Sequence, residues 1–205
     1  MIKNRLFNVI LFLGLYAFWI FSQKFLENDT HNNTHIIDRL HQLDGVSQIH
    51  EYLLNHHTIT AYCFIITTLM IDLKIIYYVY DFIINRNYRP MHLILLGVIL
   101  RQFCQYINRL PSPENVIWFD PGFPTLIMNY NVSNDFFFSG HTLTALVFGF
   151  EMLNSKYPLV KVYAILYMFC EITFIFVTYA HYFMDIYGAI TTYFMMRYFY
   201  DKLIY

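Results

Sequence analysis

Residues 58–80 read TITAYCFIITTLMIDLKIIYYVY, an apolar run in which only Asp72 and Lys74 are charged. A helix needs about 20 apolar residues to cross the hydrocarbon core of a bilayer, so this stretch is long enough to span one. Further segments of similar character lie at 6–23, 91–110, 136–153, 158–179 and 181–200. The sequence therefore predicts an all-α polytopic membrane protein, a single domain over residues 1–205 with six transmembrane helices. Segment 6–23 begins basic and continues apolar like a signal peptide, but it lacks a small-residue cleavage site and reads as an anchor.

Composition agrees with that reading. Charged side chains make up only 13% of the 205 residues against 58% hydrophobic ones, about half the share of charge that a soluble domain carries. The formal net charge is -1 and the basic residues are scattered, which leaves no footprint for nucleic acid. Lys3, Arg5, Arg86, Arg89, Lys156, Lys161, Arg197 and Lys202 fall at one set of segment ends, against Lys24, Arg39 and Arg109 at the other. Basic residues concentrate on the cytoplasmic side, so both termini are expected there.

Between the first two segments, residues 27–55 form a polar outer loop. Within it Ile36, Leu40, Leu43, Val46, Ile49 and Leu53 recur every three or four positions, the stripe of an amphipathic helix lying on the membrane. Asn-x-Thr triplets at Asn28 and Asn32 carry little weight in an Asn-rich stretch. Cys63, Cys104 and Cys170 lack metal or redox spacing and are expected to be structural free thiols.

Ionisable groups inside a bilayer are costly, so each is a functional candidate until a local partner explains it. Two clusters stand out: Asn134-Asp135, with Ser139-Gly140-His141-Thr142, and His181-Tyr182 with Asp185. His181 and Asp185 are four residues apart, which on a helix stacks them one turn from each other. The carboxylate then fixes the imidazole tautomer and leaves the other nitrogen as a nucleophile toward phosphorus. His141, at the same expected depth, supplies the proton that a departing alkoxide needs. Gly140 beside it permits close approach of a backbone or a phosphate.

These motifs resemble the sphingomyelin synthase family and the related plant phosphatidylcholine:diacylglycerol cholinephosphotransferases, within the lipid phosphatase/phosphotransferase superfamily. The resemblance covers residues 101–200. It includes Arg101 with Leu110-Pro111-Ser112-Pro113, and Phe119-Asp120-Pro121-Gly122-Phe123-Pro124, which is similar to an Asp-Phe-Pro element of the plant enzymes. It implies a lipid phosphotransferase-like bundle in which His181 forms a phosphohistidine supported by Asp185, while His141 protonates the leaving diacylglycerol and then deprotonates the acceptor. The phosphatase branch carries an Arg ahead of its second His; residues 173–180 hold none here. Sphingomyelin synthases carry Thr at the position of Phe183.

Arg101, Gln105 and Asn108 fall at i, i+4 and i+7, so one polar face of the third segment should look into a protein cavity. Arg109, about 12 Å above Arg101 at a helical rise, is expected to be the phosphate contact. Arg101 is expected in the chamber wall or in an ion pair with Glu171. Asp135 binds a choline ammonium, caps the fourth helix or orients a donor; Ser139 and Tyr182 complete the candidate substrate contacts. The aromatics could form a cage for a quaternary ammonium. Glu151 near Lys156, and Asp72 with a snorkelling Lys74, read as structural.

The leading expectation is transfer of phosphocholine, or phosphoethanolamine, from a glycerophospholipid donor to diacylglycerol or ceramide at the outer or lumenal face. A lipid phosphatase or phospholipase C-type hydrolase and a non-catalytic lipid-binding protein are the alternatives. No metal and no cofactor is implied, the partners are membrane lipids, and a homo-oligomer is left open.

Overall fold

The computed structural model describes residues 36–108, 110–128, 130 and 136–204, together with isolated helical positions between Ile10 and Phe21. Among the described residues it is all-helical. Helix α1 spans Asp44–Asn55, α2 His57–Tyr80 with a π-helical turn at Asp81–Asn85, and α3 Arg89–Ile107. Helix α4 spans Gly140–Met152, α5 Pro158–Val177 and α6 Phe183–Ile204. Pro90 and Pro158 sit at the starts of α3 and α5, where a missing N–H costs nothing.

Three of these are long and apolar enough to cross a membrane: His57–Asn85, Arg89–Ile107 and Pro158–Val177. The fourth expected span falls short because Ser139 caps α4 and residues 136–139 are loop, leaving 13 helical residues, about 20 Å of rise. Helix α6 has the length, with 22 residues, but also carries Asp185, Arg197, Asp201 and Lys202. The first expected span lies largely outside the described residues, as do Asn28, Asn32, Arg109 and Asp135.

Successive long helices run in opposite directions. One end is tied by Arg89, which pairs with Glu151 at 3.3 Å and Asp201 at 2.5 Å. Asn87 adds a hydrogen bond to Glu151, so local partners account for Glu151 at this end. The opposite end gathers the loops before α4 and α6.

Short α4 is the centre of the bundle, flanked by α3, α5 and α6. Leu143, Ala145, Leu146, Val147, Phe148, Gly149 and Met152 are all buried, whereas α5 leaves Leu159, Val162, Ile165, Leu166 and Phe169 exposed, as expected where a surface faces lipid. The close approach depends on glycine. A Cβ on Gly149 would collide with Met168 of α5, and one on Gly97 with Leu143. Small residues at such crossings let helix backbones draw together where lipid supplies no hydrophobic drive.

Two expectations change here. Helix α1 begins only at Asp44, residues 36–43 being turn and extended chain. Its protein-facing residues are His50 and Leu53, while Ile49 of the expected stripe is half exposed. Lys74 does not snorkel: it is 2% exposed, donates to the Tyr167 hydroxyl at 2.7 Å and lies against the Phe148 ring. The three cysteines are free thiols.

Residues 110–130 take an unusual path. Ile117 donates to the Thr178 carbonyl at the end of α5, yet Leu126 donates to the Asp72 carboxylate at 3.2 Å and Thr125 adds a second bond. Asp72 lies about 22 Å along α2 from His57 at a helical rise, so the loop dips deep beside that helix. Tyr130, climbing back, meets Thr68. Introducing Leu at Gly149 is expected to cost about 1–3 kcal/mol through overpacking against Met168, measured as a lowered unfolding midpoint in detergent; an unchanged midpoint would show that the α4–α5 contact yields freely.

Candidate active site

His141 and His181 come together where α4 and α6 begin. His181 lies just before α6, outside the helix. Its Nδ1 donates to Asp185 Oδ2 at 3.1 Å. The expected pairing thus occurs by a different route from stacking on one helical face: the loop folds back over the first turn. Asp185 Oδ2 also accepts the Tyr182 N–H at 3.3 Å, the reach-back of a third helical residue to the N-cap amide. Asp185 Oδ1 accepts the Phe137 N–H at 3.1 Å, and the Asp185 carbonyl accepts the Ser139 N–H at 3.0 Å. Fully buried Asp185 therefore holds both loops.

His141 opens α4. Its Nδ1 donates to Glu171 Oε1 of α5 at 2.7 Å, with the carboxylate 3% exposed and the imidazole 27% exposed. Glu171 thus pairs with His141 and not with Arg101. A carboxylate only accepts, so in each pair the proton sits on Nδ1 and Nε2 is left for chemistry. The two imidazole centroids are 6.3 Å apart and the ring planes are tilted by 54°. The site opens on the His141 side, because His181 is 4% exposed.

The other expected contacts have mixed fates. Ser139 is fully buried and its hydroxyl accepts the Thr142 N–H at 3.2 Å, so it caps α4. The Tyr182 hydroxyl donates to the Pro111 carbonyl at 3.1 Å, tying the 110–130 loop to the site. Arg101 reaches the site's level: its Nε donates to the Phe138 carbonyl at 3.0 Å, and it fills the space beside Gly140, where a Cβ would lie 3.2 Å from that nitrogen. Gly140 therefore admits a guanidinium close to its backbone. Gln105 is buried with Arg101, but Asn108 is exposed and ends α3 by donating to the Cys104 carbonyl; the polar face is two residues long.

Two contacts to His141 are not legible in the sequence. Glu171 is expected there only as a partner for Arg101, since nothing in spacing links it to His141 thirty residues earlier. Trp118 stands edge-on to the His141 ring at 5.5 Å, within an aromatic group that includes Phe64, Phe119, Tyr130 and Phe174.

A family model described as AtPDCT1/2, the phosphatidylcholine:diacylglycerol cholinephosphotransferase family, matches residues 43–202. No curated protein and no solved structure matches the chain significantly.

Removing the Asp185 carboxylate leaves three donors without their acceptor in a buried place. Asp185→Ala is expected to cost about 3–5 kcal/mol, read as a fall in the unfolding midpoint. A loss no larger than that of an exposed acidic residue would mean the loops hold their places without it.

Proposed function

Because the chain belongs to the phosphatidylcholine:diacylglycerol cholinephosphotransferase family, a family of phospholipid phosphotransferases acting on phosphatidylcholine and diacylglycerol, we propose that it moves phosphocholine by double displacement on His181. The observation that carries this reading is the pair of imidazoles 6.3 Å apart, each with a buried carboxylate on Nδ1.

In the first half-reaction the His181 Nε2 lone pair attacks phosphorus of phosphatidylcholine. The N–P bond forms and the P–O bond to the glycerol oxygen breaks. His141, entering as imidazolium, gives its Nε2 proton to that oxygen, and diacylglycerol leaves. In the second half a new diacylglycerol hydroxyl returns a proton to His141 Nε2 as its oxygen attacks phosphorus, and the N–P bond breaks. Asp185 offsets the positive charge of the phosphorylated imidazole, and Glu171 does the same for His141. Neither half needs a metal.

Arg101 and Arg109 are the candidate phosphate contacts, as guanidinium forks suit phosphate oxygens. Asp135 and the Trp118–Tyr130 wall, whose rings lie 5.6 Å apart, are candidates for the choline ammonium. Ser139 and Tyr182 contribute by shaping the loops. We read the bundle as six spans with both termini cytoplasmic and the site toward the outer or lumenal face, on the asymmetry of Lys and Arg. Helix α1 then lies at the membrane surface, with exposed Ile49, Tyr52 and Leu54 toward lipid.

The test offers headgroup-labelled phosphatidylcholine in nanodiscs with diacylglycerol, ceramide or water alone as acceptor. Label should move to diacylglycerol, and His181→Ala should lose at least about a thousandfold in turnover while folding normally. Release of soluble phosphocholine with no lipid product would make the protein a hydrolase, and label on ceramide would change the acceptor. Unimpaired transfer by His181→Ala would remove the covalent mechanism.

A further inference from the structure

Residues 36–42 precede the stretch that matches the family model, and residues 36–43 take no part in the steps above, yet they wrap the loop that presents His181. We propose that this segment is a strap in which Asp38 and His41 are positioning residues for His181, an inference that rests on the nucleophilic role given to that histidine.

The first observation is a helix cap delivered from far away. The opening N–H groups of a helix have no partner within it, and a side-chain oxygen from the residue just before usually serves them. At α6 the N–H of Phe183 donates instead to Asp38 Oδ2 at 2.6 Å, across 145 residues of sequence. The other carboxylate oxygen accepts the Leu40 N–H at 2.9 Å. One side chain therefore fixes the turn of the strap and the start of the helix that bears Asp185.

The second observation is a stack of rings under the same loop. Tyr179 has φ of 57°, a left-handed conformation that costs a bulky residue on the order of 1–3 kcal/mol. It is held there by His41 on one contact, at 4.1 Å and 10° between planes, and by His50 on another, at 3.6 Å and 2°. The Tyr179 hydroxyl donates to the His41 carbonyl at 2.7 Å. His50 Nδ1 donates to the Val177 carbonyl at 2.9 Å, anchoring α1 to the end of α5. His41 also packs on Phe176 and faces Tyr182, with ring centroids 4.9 and 6.5 Å away. Thus the residues two before and one after His181 both lie against the strap.

Burial pushes the His41 imidazole below its ordinary range, against the opposing pull of Asp38. Its Nε2 stands 4.0 Å from Asp38 Oδ2, too far for a hydrogen bond. The work of Asp38 is therefore done on backbone N–H groups, and the contribution of His41 is its ring. Both can be separated from bulk stability by substitution, because Asn keeps the capping oxygen and Phe keeps a stacking ring.

The test uses full-length protein in phosphatidylcholine nanodiscs carrying 15N-labelled histidine, with the His181 resonances assigned by their loss in His181→Gln. Asp38→Ala should shift the His181 Nδ1 resonance and lower kcat for headgroup transfer on the order of tenfold or more, with KM for phosphatidylcholine within about twofold. Asp38→Asn should restore both, and His41→Phe should retain more turnover than His41→Ala. An unmoved His181 resonance with unchanged kcat in Asp38→Ala would overturn the proposal, and so would an Asn variant as impaired as the Ala variant. If the wild-type protein transfers no headgroup, the functional reading fails, while the His181 resonance still decides whether the strap positions that ring.

Discussion

A single buried carboxylate organises the site. Asp185 takes the imidazole of His181, the N–H of Tyr182 and the N–H of Phe137, and its own carbonyl takes the N–H of Ser139. Two of those partners belong to the loop before α6 and two to the loop before α4. The residue therefore sets the distance between His181 and His141 as well as the orientation of one of them. An uncompensated carboxylate at that depth would be costly, so filling its acceptor positions with loop amides gives stability and the geometry of the candidate site one common cause. Glu171 plays the narrower part, since its buried oxygen serves His141 alone among the described residues.

The bundle surrounding this centre follows from the same constraint. Backbone polar groups at membrane depth must be satisfied within the protein. Helix α4 meets this by being short, capped by Ser139 and buried by its neighbours on nearly every side. The 110–130 loop meets it with two side chains and one backbone carbonyl: Asp72 takes the Leu126 amide, the Tyr182 hydroxyl donates to the Pro111 carbonyl, and the Thr178 carbonyl accepts the Ile117 N–H. Asp72 is thereby explained by a loop bond rather than by an aqueous end of its helix. Trp118 reaches His141 because this loop is held so closely.

Much of this was legible in the sequence because it was local. The apolar runs placed α2, α3 and α5 within a few residues, and the Ser-Gly-His and His-Tyr-x2-Asp strings named both histidines and one carboxylate. The i+4 spacing paired His181 with Asp185 correctly, but through a helix entry rather than a helix face. What escaped was long-range. Glu171 meets His141 across the packing of α4 on α5, which is close at Gly149, and Arg101 lies against Gly140, where a side chain would crowd it. The stripe from Ile36 to Leu53 misled for a related reason. Periodicity records which residues are apolar, whereas Asp38 and His41 are held by partners at α5 and α6 that draw residues 36–43 out of the helix.

The proposed transfer turns on a covalent stage at His181, and stereochemistry at phosphorus reports on it directly. Phosphatidylcholine with a single sulfur in place of one non-bridging oxygen is chiral there, and each in-line displacement inverts it. Transfer from one configuration of that donor to an isotopically marked diacylglycerol, read by phosphorus NMR of the product, should give net retention. Inversion would mean that the acceptor attacks the donor in one step and that His181 never carries the headgroup.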